Sequence, residues 1–331
     1  MIPCGLFGGP GKRITVNYRV KGGEAMLEIR IHGRGGQGAV TSAELFAQAA
    51  IMEGKYAQAF PSFGPERRGA PVVAFCRIDE RPIRLRTNIN EPDIVMVLDP
   101  SLLQVVDVTA GLVEQGILII NSRKGPHHFM MKKLAGAASI DAARIALDIL
   151  KRPITNTVML GALVRITAAV EVESLIEAIR QRFDAENAAL NVQALQKAFT
   201  ETLILYSDDC TPADWDSFAG TANIAAAAAA RGKPALDYGF RWNELKPGCV
   251  ITEAGNASSF RTGDWRSFRP VLNKERCIRC GLCWVFCPDM AYRENPEGYY
   301  IVDLDYCKGC GICAQECPVG AIHLEKEVEM V

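Results

Sequence analysis

Hydrophobic positions recur with two different spacings between residues 27 and 206. Short apolar runs bounded by Gly, Pro, Asp or Asn are typical of buried strands; they are LEIRIH, PVVAFCRID, DIVMVLD and GILIIN. Longer stretches in which apolar residues recur every three or four positions predict helices; they are AVTSAELFAQAAIMEG, SIDAARIALDIL, TNTVMLGALVRITAAV, VESLIEAIRQRF and ENAALNVQALQKAFTETLILY. Because strands and helices alternate, we predict an α/β domain whose mainly parallel sheet carries helices on both faces.

The periodic pattern weakens outside this region, which predicts the domain boundaries. Residues 1–25 are rich in glycine and lack the apolar core of a signal peptide, so we expect a flexible leader. The α/β domain would then occupy residues 26–206. Residues 207–240 include an alanine run without a wide apolar face and predict a linker. Residues 241–331 would form an extended arm followed by a small cysteine-rich domain.

Composition and charge exclude several classes of protein. The chain has 331 residues, of which 49% are hydrophobic and 23% are charged, as in ordinary globular proteins. Its formal net charge is -1, so no overall basic field favours nucleic acid or an anionic membrane surface. No apolar run reaches the roughly 20 residues that a membrane-spanning helix needs. We therefore expect no nucleic acid partner and no membrane span, and the free thiols favour a reducing cytoplasm.

Eight of the twelve cysteines form two copies of the pattern C-x2-C-x2-C-x3-C-P near the carboxyl end of the chain. In this pattern three cysteines of a run hold one iron–sulfur cube, and the fourth holds the cube of the other run. One [4Fe-4S] cluster is therefore predicted on Cys277, Cys280, Cys283 and Cys317, and the second on Cys307, Cys310, Cys313 and Cys287. Two neighbouring clusters pass single electrons, so the pattern predicts a small α+β domain of the bacterial 2[4Fe-4S] ferredoxin type.

Other uses of these cysteines fit the pattern less well. Zinc prefers four ligands in two pairs, and a triple C-x2-C-x2-C run suits a tetrahedral site poorly. A disulfide framework is typical of short secreted chains, and this chain is long. The clusters could also serve only to stabilise a small fold. The remaining cysteines are scattered and are expected to be buried thiols without a chemical role; they are Cys4, Cys76, Cys210 and Cys249.

A glycine-rich turn follows the first predicted strand. Gly33, Gly35 and Gly38 satisfy the G-x-G-x-x-G dinucleotide pattern between a strand and a helix. The acidic residue expected about 20 positions later to bind the ribose is not convincing, since only Glu53 and Glu66 are near. Three interpretations stay open: a tight turn without a ligand, a site for another anionic group, and a contact to a partner subunit. The segment PSFGPERRG is equally ambiguous, because its arginine pair could bind a phosphate or lie solvated.

The two parts of the chain together resemble one family of enzymes. The stretch RIHGRGGQGAVTSAELFAQAAIMEGKYAQAFPSFGPERRGAPVVAFCRID resembles the gamma subunit of 2-oxoacid:ferredoxin oxidoreductases, and the likeness continues to about residue 205. The stretches WNELKPGCVITEAGN, TGDWRSFRPV and CIRCGLCWVFCPD resemble the delta subunit of the same enzymes. The resemblance is strongest to pyruvate synthases. The fusion of the two subunits, the leader and the alanine-rich linker have no counterpart in the family.

The resemblance implies a division of labour within a hetero-oligomer. Members of the family decarboxylate a 2-oxoacid on thiamine diphosphate and Mg²⁺ held by alpha and beta subunits, reduce ferredoxin and transfer the acyl group to coenzyme A. This chain would supply the two clusters and no catalytic residue of its own. The gamma domain of the family is associated with coenzyme A, so the resemblance implies a cofactor or subunit contact at two segments of the chain. The implied residues are Arg34, Gly35, Gly36, Gln37, Gly38, Phe63, Glu66, Arg67, Arg68 and Gly69.

Two alternatives to a pyruvate enzyme remain. The family includes members that act on oxalate or on branched or aromatic 2-oxoacids, and the substrate pocket would lie mostly on other chains. A second alternative is an iron–sulfur oxidoreductase linked to flavin or NAD through the glycine turn.

Overall fold

A computed structural model describes residues 19–21, 24–62, 69–167, 169–210, 255 and 261–326 of the chain. The chain divides into two compact units whose boundary lies between residues 228 and 229, inside the range predicted as a linker. Each unit has its own cluster of buried apolar residues. Most of the predicted linker and arm lies outside the described residues.

The first unit is built on an eight-stranded sheet. Its strands are β1 (Arg19–Lys21), β2 (Glu24–Arg34), β3 (Tyr56–Pro61), β4 (Pro71–Asp79), β5 (Ile94–Val97), β6 (Gly116–Asn121), β7 (Leu134–Ile140) and β8 (Leu203–Tyr206). The order is β3-β4-β2-β5-β6-β7-β8, with β1 pairing with β2. The central strands β2, β5, β6 and β7 are parallel, whereas β3, β4 and β8 pair antiparallel at the sides. The predicted α/β class is confirmed.

Within the residues that the structure describes, five α-helices of the first unit pack on one face of this sheet. They are α1 (Ala39–Met52), α2 (Ala142–Leu150), α3 (Asn156–Ile166), α4 (Val172–Arg182) and α5 (Ala185–Glu201). The side chains of Ile31, Met96 and Ile119 point to this face from adjacent parallel strands and are fully buried beneath the helices. Burial of such apolar surface is the main favourable term in folding. Within the described ranges no helix is long and apolar enough to cross a bilayer.

The opposite face of the sheet is covered differently. Two short 3₁₀ helices, Pro100–Gln104 and Pro126–His128, and their connecting segments lie over it. Leu102 and Phe129 pack there against Val97 and neighbouring strand residues. The sequence predicts helices on both faces, but the described helices are distributed unequally, because the connections that follow β5 and β6 form 3₁₀ turns and loops.

The hydrophobic pattern of the sequence does not predict three strands of the sheet. The strand β7 has the sequence LAGAASI, whose small residues carry little strand propensity. The strand β8 lies inside a segment predicted as helix, and α5 stops because Thr202 adopts an extended backbone. The strand β3 follows Gly54 without a clear alternation. The hairpin of β1 and β2 begins at Arg19, so ordered structure extends into the range predicted as a leader.

The second unit is a small repeat of strand, turn and short helix. Its elements are β9 (Phe268–Leu272), α6 (Leu282–Val285), β10 (Tyr292–Glu294), β11 (Tyr300–Val302), α7 (Ile312–Gln315) and β12 (Ile322–Lys326). The strands form two antiparallel pairs, β10 with β11 and β9 with β12. Its buried apolar cluster centres on Tyr292, Cys313 and Ile322. A core of this size stabilises a fold weakly, so such units depend on bound clusters or metals.

Candidate functional site

Two cavities in the second unit are each lined by four cysteines. The first cavity is lined by Cys277, Cys280, Cys283 and Cys317. The second cavity is lined by Cys287, Cys307, Cys310 and Cys313. The fold therefore brings together the same two crossed sets of side chains that the spacing predicts, with the fourth cysteine of each run on the other run's cavity. Four thiols per cavity form the all-sulfur donor set that an iron–sulfur cluster needs, so the residues fit the group.

The turns around each cavity need backbone that most residues avoid. Gly281 and Gly311 have φ of 74° and 84° and begin α6 and α7 immediately after the second cysteine of each run. Two positions earlier, Arg279 has φ of 57° and Gly309 has φ of 68°. A Cβ on Gly309 would lie 2.2 Å from the carbonyl oxygen of Phe268, which explains glycine at this position.

Backbone N–H groups point at several of the sulfurs. The N–H of Ala291 donates to Cys287 Sγ at 3.3 Å, and that of Ala321 donates to Cys317 Sγ at 3.2 Å. Burial opposes ionisation of Cys317, but the hydrogen bonds from its own loop outweigh burial and lower the pKa of this thiol. The donors to Cys317 therefore favour its thiolate form, which is the form that binds iron.

The thiols at the centre of the second unit are harder to ionise than an ordinary cysteine. Burial raises the pKa of Cys283 to about 11, and it also raises the pKa of Cys307 and Cys313. These three side chains are therefore protonated at neutral pH when no metal is bound. Because metal ligands must be deprotonated, loading the cavities releases protons and couples cluster binding to folding.

The polar side chains of the glycine turn are occupied inside the first unit. The Arg34 side chain is 3% exposed, and its Nε lies 3.2 Å from Asp99 Oδ2. Its Nη2 also donates to Ser101 Oγ at 2.7 Å. Gln37 Nε2 donates to the same carboxylate at 2.7 Å. Arg34 and Gln37 thus fix the turn against the end of β5, which favours a structural role for both side chains.

Packing explains the glycines of the turn. A Cβ on Gly38, whose φ is 82°, would lie 2.7 Å from Asn156 Nδ2 at the start of α3. A Cβ on Gly33 would lie 3.2 Å from Ala39 Cβ. The N–H of Gly35 donates to the carbonyl of Ala70 at 2.8 Å. The turn allows α1 to pack closely on the sheet, as the ligand-free interpretation expects.

The turn also contacts the end of the second implied segment. The N–H of Gly69 donates to the carbonyl of Gly35 at 3.1 Å, and Arg34 Nη1 donates to the carbonyl of Gly69 at 3.1 Å. Gly69 therefore lies beside the turn. Phe63, Glu66, Arg67 and Arg68 lie outside the described residues, and their roles stay predictions.

Two functional contacts were not predicted from the sequence. Asp99 lies two residues after β5, and its place at the carboxyl end of a parallel strand beside the glycine turn is a signal that could have identified it. Tyr292 lines the second cavity and packs in the same small buried cluster as Cys313. No local pattern indicates this proximity, because the two residues lie in different halves of the repeat.

Comparison with known proteins agrees with both units. Residues 28–201 match the family model of pyruvate ferredoxin/flavodoxin oxidoreductase, and residues 271–324 match that of the 4Fe-4S dicluster domain. The chain is 56% identical over 182 residues to the pyruvate/ketoisovalerate oxidoreductases common subunit gamma of Thermococcus litoralis, covering 54% of this chain and 98% of the relative. It is 50% identical over 176 residues to the pyruvate synthase subunit PorC of Methanothermobacter thermautotrophicus, covering 53% of this chain and 96% of the relative.

One solved structure is similar to the same part of the chain. The pyruvate oxidoreductase subunit PORC of Thermotoga maritima is 40% identical, covers 54% of this chain and 98% of its own, and has a TM-score of 0.48.

Together the α/β unit and the double cysteine repeat define an iron–sulfur subunit of an oxidoreductase. The chain belongs to the pyruvate ferredoxin/flavodoxin oxidoreductase family. It is a gamma-type subunit of a 2-oxoacid ferredoxin oxidoreductase, and it carries a 4Fe-4S dicluster domain in the same polypeptide. The relatives of this chain are themselves named as subunits.

Proposed function

We propose that this chain is the electron-transferring gamma/delta subunit of a thiamine-diphosphate-dependent pyruvate:ferredoxin oxidoreductase. The overall reaction converts pyruvate, coenzyme A and two oxidised ferredoxins into acetyl-coenzyme A, carbon dioxide, a proton and two reduced ferredoxins. The observation that carries the electron-transfer role is the crossed pair of four-cysteine cavities. The names of the relatives support pyruvate as the substrate.

The roles divide between this chain and its companions. Residues 26–206 serve as the gamma domain, and residues 241–331 serve as the delta-type arm and cluster domain. The eight cysteines hold two [4Fe-4S] clusters, which supply one-electron oxidation and reduction when bound. Thiamine diphosphate and Mg²⁺ belong to alpha and beta subunits, where the carbon–carbon bond breaks. The thiol ligands and the oxygen sensitivity of such clusters favour a reducing cytoplasm as the location.

The glycine turn supports this function indirectly. Because Arg34 and Gln37 bond to Asp99, we assign them the role of holding the turn in place. The arginine pair at Arg67 and Arg68, together with Phe63, Glu66 and Gly69, stays our candidate for contact with coenzyme A or with a partner subunit. Guanidinium groups suit both, since they bind phosphate and carboxylate through paired hydrogen bonds.

Anaerobic purification of the chain with its companions tests the proposal. We expect a brown complex with about eight irons in this chain, since two cubes hold four each. It should contain thiamine-binding subunits and reduce a low-potential acceptor with pyruvate in the presence of coenzyme A. Iron-free material, or zinc in the cysteine cavities, would overturn the electron-transfer role.

A second substrate is favoured by a specific finding. The Thermococcus litoralis relative is named as a gamma subunit common to pyruvate and ketoisovalerate oxidoreductases. A gamma domain of this kind can therefore belong to enzymes for two 2-oxoacids, and 2-ketoisovalerate is our second candidate. Comparing reduction rates with pyruvate, 2-ketoisovalerate, oxalate and an aromatic 2-oxoacid distinguishes these cases. Cluster reduction by NADH, or bound flavin, would instead support an NAD- or flavin-linked enzyme.

A further inference from the structure

The connection between β4 and β5 is long and contains no helix or strand. It runs over residues 80–93. Connections of this length without secondary structure are uncommon and are usually either functional or flexible linkers. This one is held in place, because Gln58 Nε2 on β3 donates to the carbonyl of Ile83 at 3.1 Å and Ile89 is only 2% exposed. The connection is therefore a defined feature of the first unit, which favours a function.

The middle of this connection presents three arginines to solvent. We call residues 81–88, with the sequence RPIRLRTN, the arginine segment. Arg81, Arg84 and Arg86 are all exposed, and Leu85 is 47% exposed. Residues 81–90 include no acidic residue and no lysine. The local charge is therefore positive, although the whole chain has a formal net charge of -1.

The three guanidinium groups of the arginine segment form no ion pair with any residue that the structure describes. Other exposed arginines of the first unit do have acidic partners. Arg123 Nε lies 3.1 Å from Asp141 Oδ2, and Arg180 Nη1 lies 3.8 Å from Glu177 Oε2. The backbone N–H groups of residues 84–86 likewise donate no hydrogen bond within the described part of the chain. The arginine segment thus has donors available on both its side chains and its backbone.

Arginine in this setting suits the carboxylates of another protein. Guanidinium groups bind carboxylates through paired hydrogen bonds, and protein–protein interfaces are enriched in arginine and depleted in lysine. Leu85 adds apolar surface between two cations, which a protein partner can cover. A nucleic acid fits less well, because three cations neutralise few phosphates and the chain as a whole is not basic.

We propose that the arginine segment docks on an acidic surface of a companion subunit in the complex. The inference rests on the proposed function, which requires such companions. Arg81, Arg84 and Arg86 pair there with carboxylates, and Leu85 is buried between them. Because Gln58 already holds the backbone of the segment in the free chain, association orders little additional backbone and loses little conformational entropy.

Binding of the full chain to its thiamine-binding companions, measured by fluorescence anisotropy without oxygen, tests the proposal. In a triple variant with Arg81→Gln, Arg84→Gln and Arg86→Gln, we expect the dissociation constant to rise at least about tenfold. Binding of the variant should also depend less on salt, because ions screen the attraction between guanidinium and carboxylate groups. An unchanged dissociation constant would overturn the proposal.

The matched control removes the same number of charges elsewhere on the first unit. Arg152, Arg180 and Arg182 are exposed, and replacing all three by glutamine also removes three positive charges. We expect this variant to bind the companions as tightly as the parent does. Equal losses of affinity in the two triple variants would show that net charge alone matters, which would overturn the assignment to the arginine segment.

Hydrogen exchange tests the same surface without a substitution. The amides of residues 84–86 are exposed and should exchange rapidly in the free chain. In the complex we expect their exchange to slow, and equal exchange in the two states would overturn the proposal. The two levels of failure are distinct. A parent chain that binds no thiamine-binding subunit rejects the proposed function together with this inference, whereas equal binding by the parent and the arginine-segment variant rejects this inference alone.

Discussion

At the scale of single residues, Asp99 shows how a contact that resembles a binding site can be structural. Its carboxylate forms an ion pair with Arg34 and accepts a hydrogen bond from the side-chain amide of Gln37, both in the glycine turn. It also caps the following 3₁₀ helix by accepting a hydrogen bond from the N–H of Ser101. Burial lowers the pKa of Arg34, and Asp99 acts against that shift by stabilising the guanidinium cation. The pair therefore holds a charge that would be costly to bury alone.

Asp99→Asn tests this role. The substitution removes the carboxylate that faces the buried Arg34 cation, so we expect the free energy of unfolding of the first unit to fall by about 1–3 kcal/mol. Iron content should not change. Chemical denaturation followed by circular dichroism measures the effect. The control is Asp148→Asn, since Asp148 is 53% exposed and lies 3.7 Å from Arg144 on α2; it should cost less than about 0.5 kcal/mol. Equal effects would contradict the structural role.

Gly309 carries a second prediction at this scale. Gly309→Ala adds a Cβ that would lie 2.2 Å from the Phe268 carbonyl oxygen, at φ of 68°, so β9 or the cysteine turn must shift. The parent should bind about eight irons. We expect the variant to bind fewer, because the second cavity loses its cluster.

Arg279→Ala is the control for that variant, because the repeat-related position already carries a side chain at φ of 57°. It loses an exposed stacking contact with the Tyr299 ring, whose centroid lies 4.4 Å from the guanidinium carbon. Iron content and spectra should match the parent. An intact second cluster in Gly309→Ala would show that the strand can move at little cost.

At the scale of elements, the close approach of α3 and α5 depends on Gly161. A Cβ there would lie 2.4 Å from the Leu195 carbonyl oxygen and 2.9 Å from Ala198 Cβ. Alanine favours a helix over glycine by about 1 kcal/mol, but separating two packed helices costs about 1–3 kcal/mol. We therefore expect Gly161→Ala to lower the melting temperature.

Gly54→Ala separates packing from backbone preference. Gly54 follows α1 at φ of 82° with nothing within 4 Å of an added Cβ, so only backbone strain of about 1–2 kcal/mol should appear. Thermal unfolding of both variants checks the comparison. A Gly161→Ala variant that is more stable than the parent would mean that helix propensity outweighs the clash.

Elements differ in how far the sequence predicts them. The strand β4 and the helix α4 match their predicted segments because apolar runs and turn residues agree there. The strand β7 is built from small residues whose state depends on tertiary contacts. The strand β8 has the apolar run LILY directly after a helix, where periodicity alone cannot separate the two states.

The candidate sites show the same contrast. The four-cysteine sets could be predicted because the spacing itself encodes the chemistry. The contacts of Asp99 and Tyr292 could not be predicted by that route, since each joins residues that are distant in sequence. Only the folded arrangement of several elements brings their partners within reach.

At the scale of the whole chain, the crossed cysteines make a specific prediction about the clusters. Cys287→Ala should damage the cluster of the second cavity, although Cys287 belongs to the first cysteine run. Cys317→Ala should damage the cluster of the first cavity. Iron analysis and electron paramagnetic resonance of anaerobically purified protein measure which signal is lost. Loss of the cluster nearer in sequence in either variant would contradict the crossed assignment.

The same crossing sets the order in which the protein can mature. During synthesis the second cavity receives its last thiol when Cys313 is added, and the first cavity must wait for Cys317. The half of the repeat that is translated earlier is therefore completed later. A chain that has reached Cys313 but not Cys317 therefore holds all four sulfurs of the second cavity and only three of the first cavity's four.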